Sequence, residues 1–532
     1  FFAVFCILYG FLSSLASGLI TMGVSPWLSV LNVALGNLII LVPIQLNSTV
    51  GTKYGIPFPL FARMTFGMKG AHLPSLLRAF TAMGWCSVQS WVGGGAFAAI
   101  IGCFAPKFLD AEWTINLPSW GGMQTVSEGT FIGFILFMLL IAWVAYNGLE
   151  NIKWVQNIGG PILLAVMIGL LIWAYTYAHG ASGMGFWEVM AQPNDQALIA
   201  EKGGFGYVYL TGLMGNIAFW ATVALNIPDF SRYAKSNGSQ FWGQMLGMPI
   251  PMAFCAFVGA YFAQATKIVD GVASFDPTTV FYHIDNKIAI FIAAFGVIMA
   301  TITTCCAANV VAPANGLSNI NPKKISYRLG VLITCLMAFF VLQAWWIYGS
   351  GSAYFTWMNA YGTILAPVAA ILVADFWIVK KQRLDIRDMF LKDGRYSYSN
   401  GFNWAAIISW FVAFIVPLIA YFGVSGGFWT FLAEWNYIWS FVIGFIVYIL
   451  LMKTSLALPE WEVLLNSSAK NPVSVALSQV VAAPVKESAD VPFAGKNVMG
   501  VRVIFPTWAN NANAKIVPAF DIPAYEPLSD AE

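Results

Sequence analysis

The chain alternates between long apolar blocks and short polar connections. The blocks lie near 1–20, 26–47, 75–103, 129–147, 155–178, 205–227, 242–265, 286–311, 326–348, 353–379, 404–424 and 430–452. A hydrocarbon core about 30 Å thick takes about 20 helical residues to cross. Each block therefore predicts one membrane-spanning helix, twelve in all. The sequence opens at Phe1 inside the first block, which reads as a first span whose beginning precedes it. From 453 to 532 the pattern dissolves into Ser, Asn, Ala, Pro and scattered charges. That stretch has too little apolar surface to offset chain entropy and is expected to be a disordered polar tail.

Composition sharpens this picture. Hydrophobic residues make up 59% of the 532 and charged residues 9%, against roughly a quarter charged in soluble domains. A soluble fold is excluded, and a net charge of +2 gives no reason to expect a nucleic-acid partner. The seven cysteines all fall in or beside apolar blocks, with no metal-ligand spacing, and are expected to be free buried thiols. Sixteen Lys and Arg lie in the even-numbered connections, against only Lys107, Lys202, Lys267 and Lys287 in the odd-numbered ones. By the positive-inside rule both termini face the cytoplasm of a plasma membrane, as in a bacterial inner membrane.

Polar groups inside the spans carry the chemistry, because each needs a partner in hydrocarbon. No span centre holds a carboxylate, Lys or His; Asp229 and Asp375 sit at span ends. The third span places Trp85 and Gln89 one turn apart on one face. Such a pair can stack on a flat ring and hydrogen-bond its edge, or simply glue helices together. The eighth span runs Ala300-Thr301-Ile302-Thr303-Thr304-Cys305-Cys306-Ala307-Ala308-Asn309. Its hydroxyls and carbonyls suit a small alkali cation, although Thr also back-bonds to its own helix. The sixth span, with Gly212, Gly215 and Asn216, is a candidate broken helix; Tyr9-Gly10 and Ser13-Ser14 make a weaker one in the first. If spans one to five and six to ten are two halves, the broken candidates and the polar helices occupy matching places. That is the mark of an inverted-repeat transporter with a midplane site.

At these residues the sequence resembles the nucleobase:cation symporter-1 family, including members that carry hydantoins, allantoin and uracil. The resemblance runs from the first span to about 452. It rests on Gly51-Thr52-Lys53-Tyr54-Gly55-Ile56-Pro57-Phe58 through Arg63, on Gly84-Trp85 with Gln89, and on Asn226-Ile227-Pro228-Asp229-Phe230 with Arg232-Tyr233. Ala307-Ala308-Asn309 with Pro313-Ala314-Asn315, and Ala374-Asp375 leading to Arg383, complete it. It implies an all-α integral membrane fold with two inverted five-helix repeats of LeuT-like type, 1–178 and 205–379, then two C-terminal helices over 404–452. It also implies a substrate site of Trp85, Gln89, Phe219, Trp220 and Asn309, with Met358 as a gate. A Na⁺ site would use main-chain oxygens of Cys6, Tyr9 and Ala300 and hydroxyls of Thr303 and Thr304. Gly10 and Cys305 replace amides of the hydantoin-carrying members, and Phe219 replaces a glycine, which favours a compact ring other than hydantoin.

The expected activity is uptake of a nucleobase or related heterocycle such as uracil, allantoin or a hydantoin. It would proceed by alternating access, driven by Na⁺ or H⁺, in a monomer with no cofactor. Within the family, a cytosine, purine or thiamine permease is the alternative. A channel is the rival class, though charged rings and repeated filter sequences are missing. No nucleophile–base pair or metal cluster within the spans points to an enzyme.

Overall fold

The computed structural model of the chain describes residues 14–147, 152–321, 323–391, 394–423 and 426–453. It is a bundle of long helices. Helix α1 (Leu15–Ile20) follows Ser14, whose backbone is left-handed at φ 49° and whose hydroxyl bonds the Tyr348 phenol. Next come α2 (Pro26–Tyr54), α3 (Phe58–Phe66) and α4 (His72–Gly102). Pro26 opens α2, where its missing N–H is not needed, and Gly55 at φ 69° ends it. After α5 (Glu128–Asn147) and α6 (Ile152–Ser182), one apolar run is split into α7 (Phe205–Phe219) and α8 (Ala221–Asn226). Then follow α9 (Pro249–Asp270), α10 (Lys287–Thr304), α11 (Val311–Ile320), α12 (Tyr327–Phe340), α13 (Gly351–Val373), α14 (Trp404–Gly423) and α15 (Asn436–Met452).

Among the described residues, seven helices are long and apolar enough to cross a membrane. There are eight if Phe428–Glu434 and Asn436–Met452, bent by 96°, form one span. The remaining predicted blocks fall short for visible reasons. The first lies mostly outside the described residues, and α4 is diluted by Ser87, Gln89, Ser90 and three consecutive glycines. Helices α10 and α12 are short. Those glycines have a use: a Cβ on Gly94 would meet the Phe134 backbone nitrogen at 2.4 Å, so α4 and α5 pack backbone to backbone.

Three features depart from the sequence reading. The connection after α4 is not featureless: β1 (Thr114–Ser119) and β2 (Gly122–Ser127) pair antiparallel as a hairpin. Its turn uses Gly122 at φ 102°, a conformation that favours glycine. Trp120 Nε1 donates to Val341 O at 2.6 Å and Trp345 Nε1 to Pro118 O at 3.0 Å, docking the hairpin on the segment before α13. Secondly, Lys380, counted among the loop charges, is buried. Its ammonium bonds Asp375, also buried, and reaches Met64 O at 3.0 Å and Tyr398 Oη at 3.2 Å. Asp375 further accepts from Thr65 Oγ1 and Tyr448 Oη, each at 2.8 Å. The charge cost of burial is met by this ring of partners at the end of the bundle opposite the hairpin. Thirdly, two stretches, Cys305–Val310 and Ala374–Val379, wind as π-helix. None of the six described cysteines is in a disulfide, and all six are buried.

Candidate functional site

The site grows from two interruptions in regular helix and one close approach of helices. Between α7 and α8, Trp220 sits at φ −96° and ψ 7°, neither helical nor extended, so its N–H shifts to Ile217 O at 3.3 Å while its carbonyl still accepts from Ala224 N at 2.9 Å. After α10, the π segment precedes Pro313, whose ring crowds the carbonyl four residues earlier, that of Asn309. The wider turn absorbs that clash and carries Asn309 on it. In α4, Gly84 makes room for α13: a Cβ there would lie 2.4 Å from the Trp357 ring.

Around these interruptions the aromatics meet edge to face. Trp85 lies 5.0 Å from Phe219 at 88°, and Phe219 lies 4.8 Å from Trp220 at 81°. Phe219 thus touches both indoles that the sequence reading pairs across a guest ring. All three are buried. Helix α13 adds a wall: Tyr354, Trp357 and Tyr361 approach Trp85 at 6.0, 5.1 and 6.5 Å. Their spacing of three and four residues puts them on one helical face.

One turn along α4 from Trp85, the two carboxamides bond each other, Asn309 Nδ2 donating to Gln89 Oε1 at 2.8 Å. That bond uses one donor and one lone pair of groups that each carry two of both. Cys305 Sγ faces Cys86 O at 3.9 Å between the same helices. Thr304 Oγ1 donates to Ala300 O at 2.6 Å, so two of the expected cation oxygens are neighbours. Thr301 back-bonds in the same way to Val297 O at 2.6 Å. Cys6 and Tyr9 lie outside the described residues, as does the Thr303 side chain. Met358 is buried on α13 against α7, its Cε 3.4 Å from where a Gly215 Cβ would stand.

Residues 6–444, most of the chain, match the family described as permease for cytosine/purines, uracil, thiamine, allantoin. The chain belongs to the nucleobase:cation symporter-1 family. It is a multi-pass membrane transporter, not an enzyme. It is 31% identical over 438 residues to an allantoin permease of Bacillus subtilis, covering 82% of this chain and 85% of that one. With a purine-uracil permease of Arabidopsis thaliana it shares 35% identity over 408 residues, 76% of this chain. It spans 65% of that plant protein's length. The fold matches Mhp1, a nucleobase-cation-symport-1 family transporter, in a closed conformation with bromovinylhydantoin bound. The TM-score is 0.65 at 19% identity, over 87% of this chain and 94% of that one. Residues 444–531 match a flagellar filament outer layer protein, too small a share of the chain to show a family.

In this symporter-family chain, several site neighbours escaped the sequence reading. Tyr354, Trp357 and Tyr361 were visible as an aromatic row at helical spacing inside the tenth block. Asn32 and Asn37 were visible as amides inside the second block, each owed a partner in hydrocarbon. Asn37 Oδ1 accepts from Trp220 Nε1 at 2.7 Å, and Asn32 Oδ1 from Asn216 Nδ2 at 2.7 Å.

Proposed function

We propose that this permease takes up a planar heterocycle, a nucleobase or a ureide ring such as allantoin, by cation-coupled alternating access. The observation that carries the reading is the pairing of two surfaces on one face of α4. Aromatic edges and faces converge at Trp85, Phe219 and Trp220, and one turn away stands the Gln89–Asn309 amide pair. A flat ring with amide-like edges costs several kcal/mol to strip of water unless its groups are re-paired. Stacking on an indole returns part of that cost. The two carboxamides return the rest by exchanging their mutual bond for bonds to the guest. The guest takes the place of the Phe219 ring beside Trp85, so Phe219 must swing as cargo enters. The small volume so released favours a compact ring, in line with relatives named for allantoin and for purine-uracil transport.

Na⁺ is the coupling ion in this reading. Thr304 Oγ1 and Ala300 O are hard, neutral oxygens side by side on α10. The Thr303 hydroxyl and the main chain of Cys6 and Tyr9, which lie outside the described groups, would complete an oxygen set suited to an alkali ion. An ion held there joins the first span to α10, and by linkage it raises cargo affinity as much as cargo raises its own. The chain is then two inverted five-helix units, 1–178 and 205–379, with 404–452 appended and both termini cytoplasmic. It works as a monomer.

Proteoliposomes holding the purified chain test this. Radiolabelled uracil or allantoin should accumulate when Na⁺ is higher outside, and Thr304→Ala should abolish the Na⁺ stimulation while Thr304→Ser keeps it. Uptake that follows a proton gradient and ignores Na⁺ would overturn the ion. Failure of Gln89→Ala and Asn309→Ala to weaken uptake of either compound would overturn the ring site.

A further inference from the structure

Helix α2 is the surprise of the bundle. Its apolar run contains three buried asparagines, Asn32, Asn37 and Asn47, and each turns its carboxamide to the α7–α8 span, interrupted at Trp220. Asn32 accepts from Asn216 and donates to Tyr209 O at 2.8 Å; Asn47 donates to Ala224 O at 2.8 Å. These two brace the halves on either side of the break. Gly36 allows the approach, since a Cβ there would fall 2.8 Å from Asn216 Cβ.

Asn37 meets the break itself. Its Oδ1 accepts from Trp220 Nε1 at 2.7 Å, while its Nδ2 donates to Val33 O, one turn back on its own helix, at 2.7 Å. The orientation of the amide follows from chemistry. An indole N–H can only donate and a carbonyl can only accept, so the oxygen must face Trp220 and the nitrogen Val33. Residue and indole are both buried. A tryptophan side chain has two rotatable bonds, and a bond at its N–H edge fixes the second. The ring face then has one setting relative to Phe219 and Trp85.

We propose that Asn37 is the positioning residue of the ring site: it grips the Trp220 indole by its nitrogen edge and sets the plane against which cargo stacks. This rests on the reading of Trp220 as a stacking surface. It predicts that Asn37 contributes to cargo binding through Trp220 alone, without touching cargo, and that a protein lacking the bond still turns over.

The experiment measures uracil and allantoin uptake in proteoliposomes, with folding checked by size-exclusion of a fluorescent fusion. Asn37→Leu removes the acceptor at similar volume, and Asn37→Asp in its protonated form keeps both an oxygen for the indole and a hydroxyl for Val33 O. Trp220→Phe keeps a ring and removes the N–H; Trp220→Ala removes the surface. Asn37→Leu should raise KM about tenfold, the scale of one buried hydrogen bond lost, with Vmax within about twofold. Asn37→Asp should restore KM to within about twofold of the parent. In the Trp220→Phe background, Asn37→Leu should add nothing. Should Asn37→Leu not fold, Trp220→Phe alone carries the test, and a parental KM for it overturns the proposal. An unchanged KM in Asn37→Leu, or effects that multiply in the double variant, also overturns it provided Trp220→Ala raises KM. A parental KM in Trp220→Ala defeats the stacking reading itself.

Discussion

Removing one partner of the Asp375–Lys380 pair should destabilise the bundle far more than removing both. Both side chains have 0% exposure, so neither charge can turn to water. Lys380→Met keeps the apolar stem and leaves the Asp375 carboxylate with two neutral donors, Thr65 and Tyr448. Asp375→Asn leaves the ammonium on Met64 O and the Tyr398 phenol. Breaking a buried pair from one side costs roughly 3–5 kcal/mol, whereas replacing both members with apolar groups is often close to neutral. Asp375→Leu with Lys380→Met forfeits the acceptor for two hydroxyls, a cost of about 2 kcal/mol. The double variant should therefore be more stable than either single one, with a coupling of several kcal/mol. The pair joins the end of α13 to α3 and, through Tyr448, to α15, so its loss should show as a cooperative drop in melting temperature. Fluorescence-detected size-exclusion after heating measures this for all four proteins. Single variants that melt with the parent, or a double variant that melts at the sum of the two drops, would refute the buried-charge account.

Two further outcomes follow from particular contacts. Phe219→Ala vacates the space between Trp85 and Trp220, so inhibition of uracil uptake by bromovinylhydantoin relative to hydantoin should rise by roughly tenfold; an unchanged ratio would show that Phe219 does not bound the cargo. Outside the spans, Asp195 is held below the usual carboxylate range first by the Lys267 ammonium at 2.9 Å and then by the Leu198 N–H. A depressed carboxylate stabilises above its unfolded value and loses that stability as pH falls through the lower, folded one. The turn over 195–204 should keep its slow amide exchange through mildly acidic pH and lose it only below the ordinary carboxylate range, read by hydrogen-exchange mass spectrometry; loss near neutrality would contradict the pairing.

The helices were legible because hydrocarbon admits few alternatives: a long apolar run must satisfy its backbone internally. The same constraint made Gln89 and Asn309 conspicuous, since an amide in a span must find a partner, and they found each other. Which partner is chosen is a long-range matter. Nothing local in α2 says that Asn37 faces Trp220, 183 residues away. Nor could a loop count of charges reveal that Lys380 folds back onto Asp375, because the π turn that brings them together is a tertiary compromise. The edge-to-face setting of Phe219 also depends on Trp85 of α4, which in turn packs against the aromatic row of α13. Residue type pointed to the candidate cluster, while its packing came from helices remote in sequence.

The distribution of charge also bears on how such a protein can work. Trp85, Gln89, Phe219, Trp220, Asn309 and their braces Asn32 and Asn37 are all neutral, and the buried ion pair lies at one end of the bundle. A site of neutral groups can exchange its access from one side to the other without carrying a protein charge through hydrocarbon, a step that costs several kcal/mol per charge. On the cation-coupled reading proposed above, the ion is then the one charge that must be moved, so the membrane potential acts on the ion and, through linkage, on the cargo. Uptake should accordingly steepen with an inside-negative potential. Its slope should report the charge of the coupling ion alone, because Asp375 and Lys380 compensate each other where they stand.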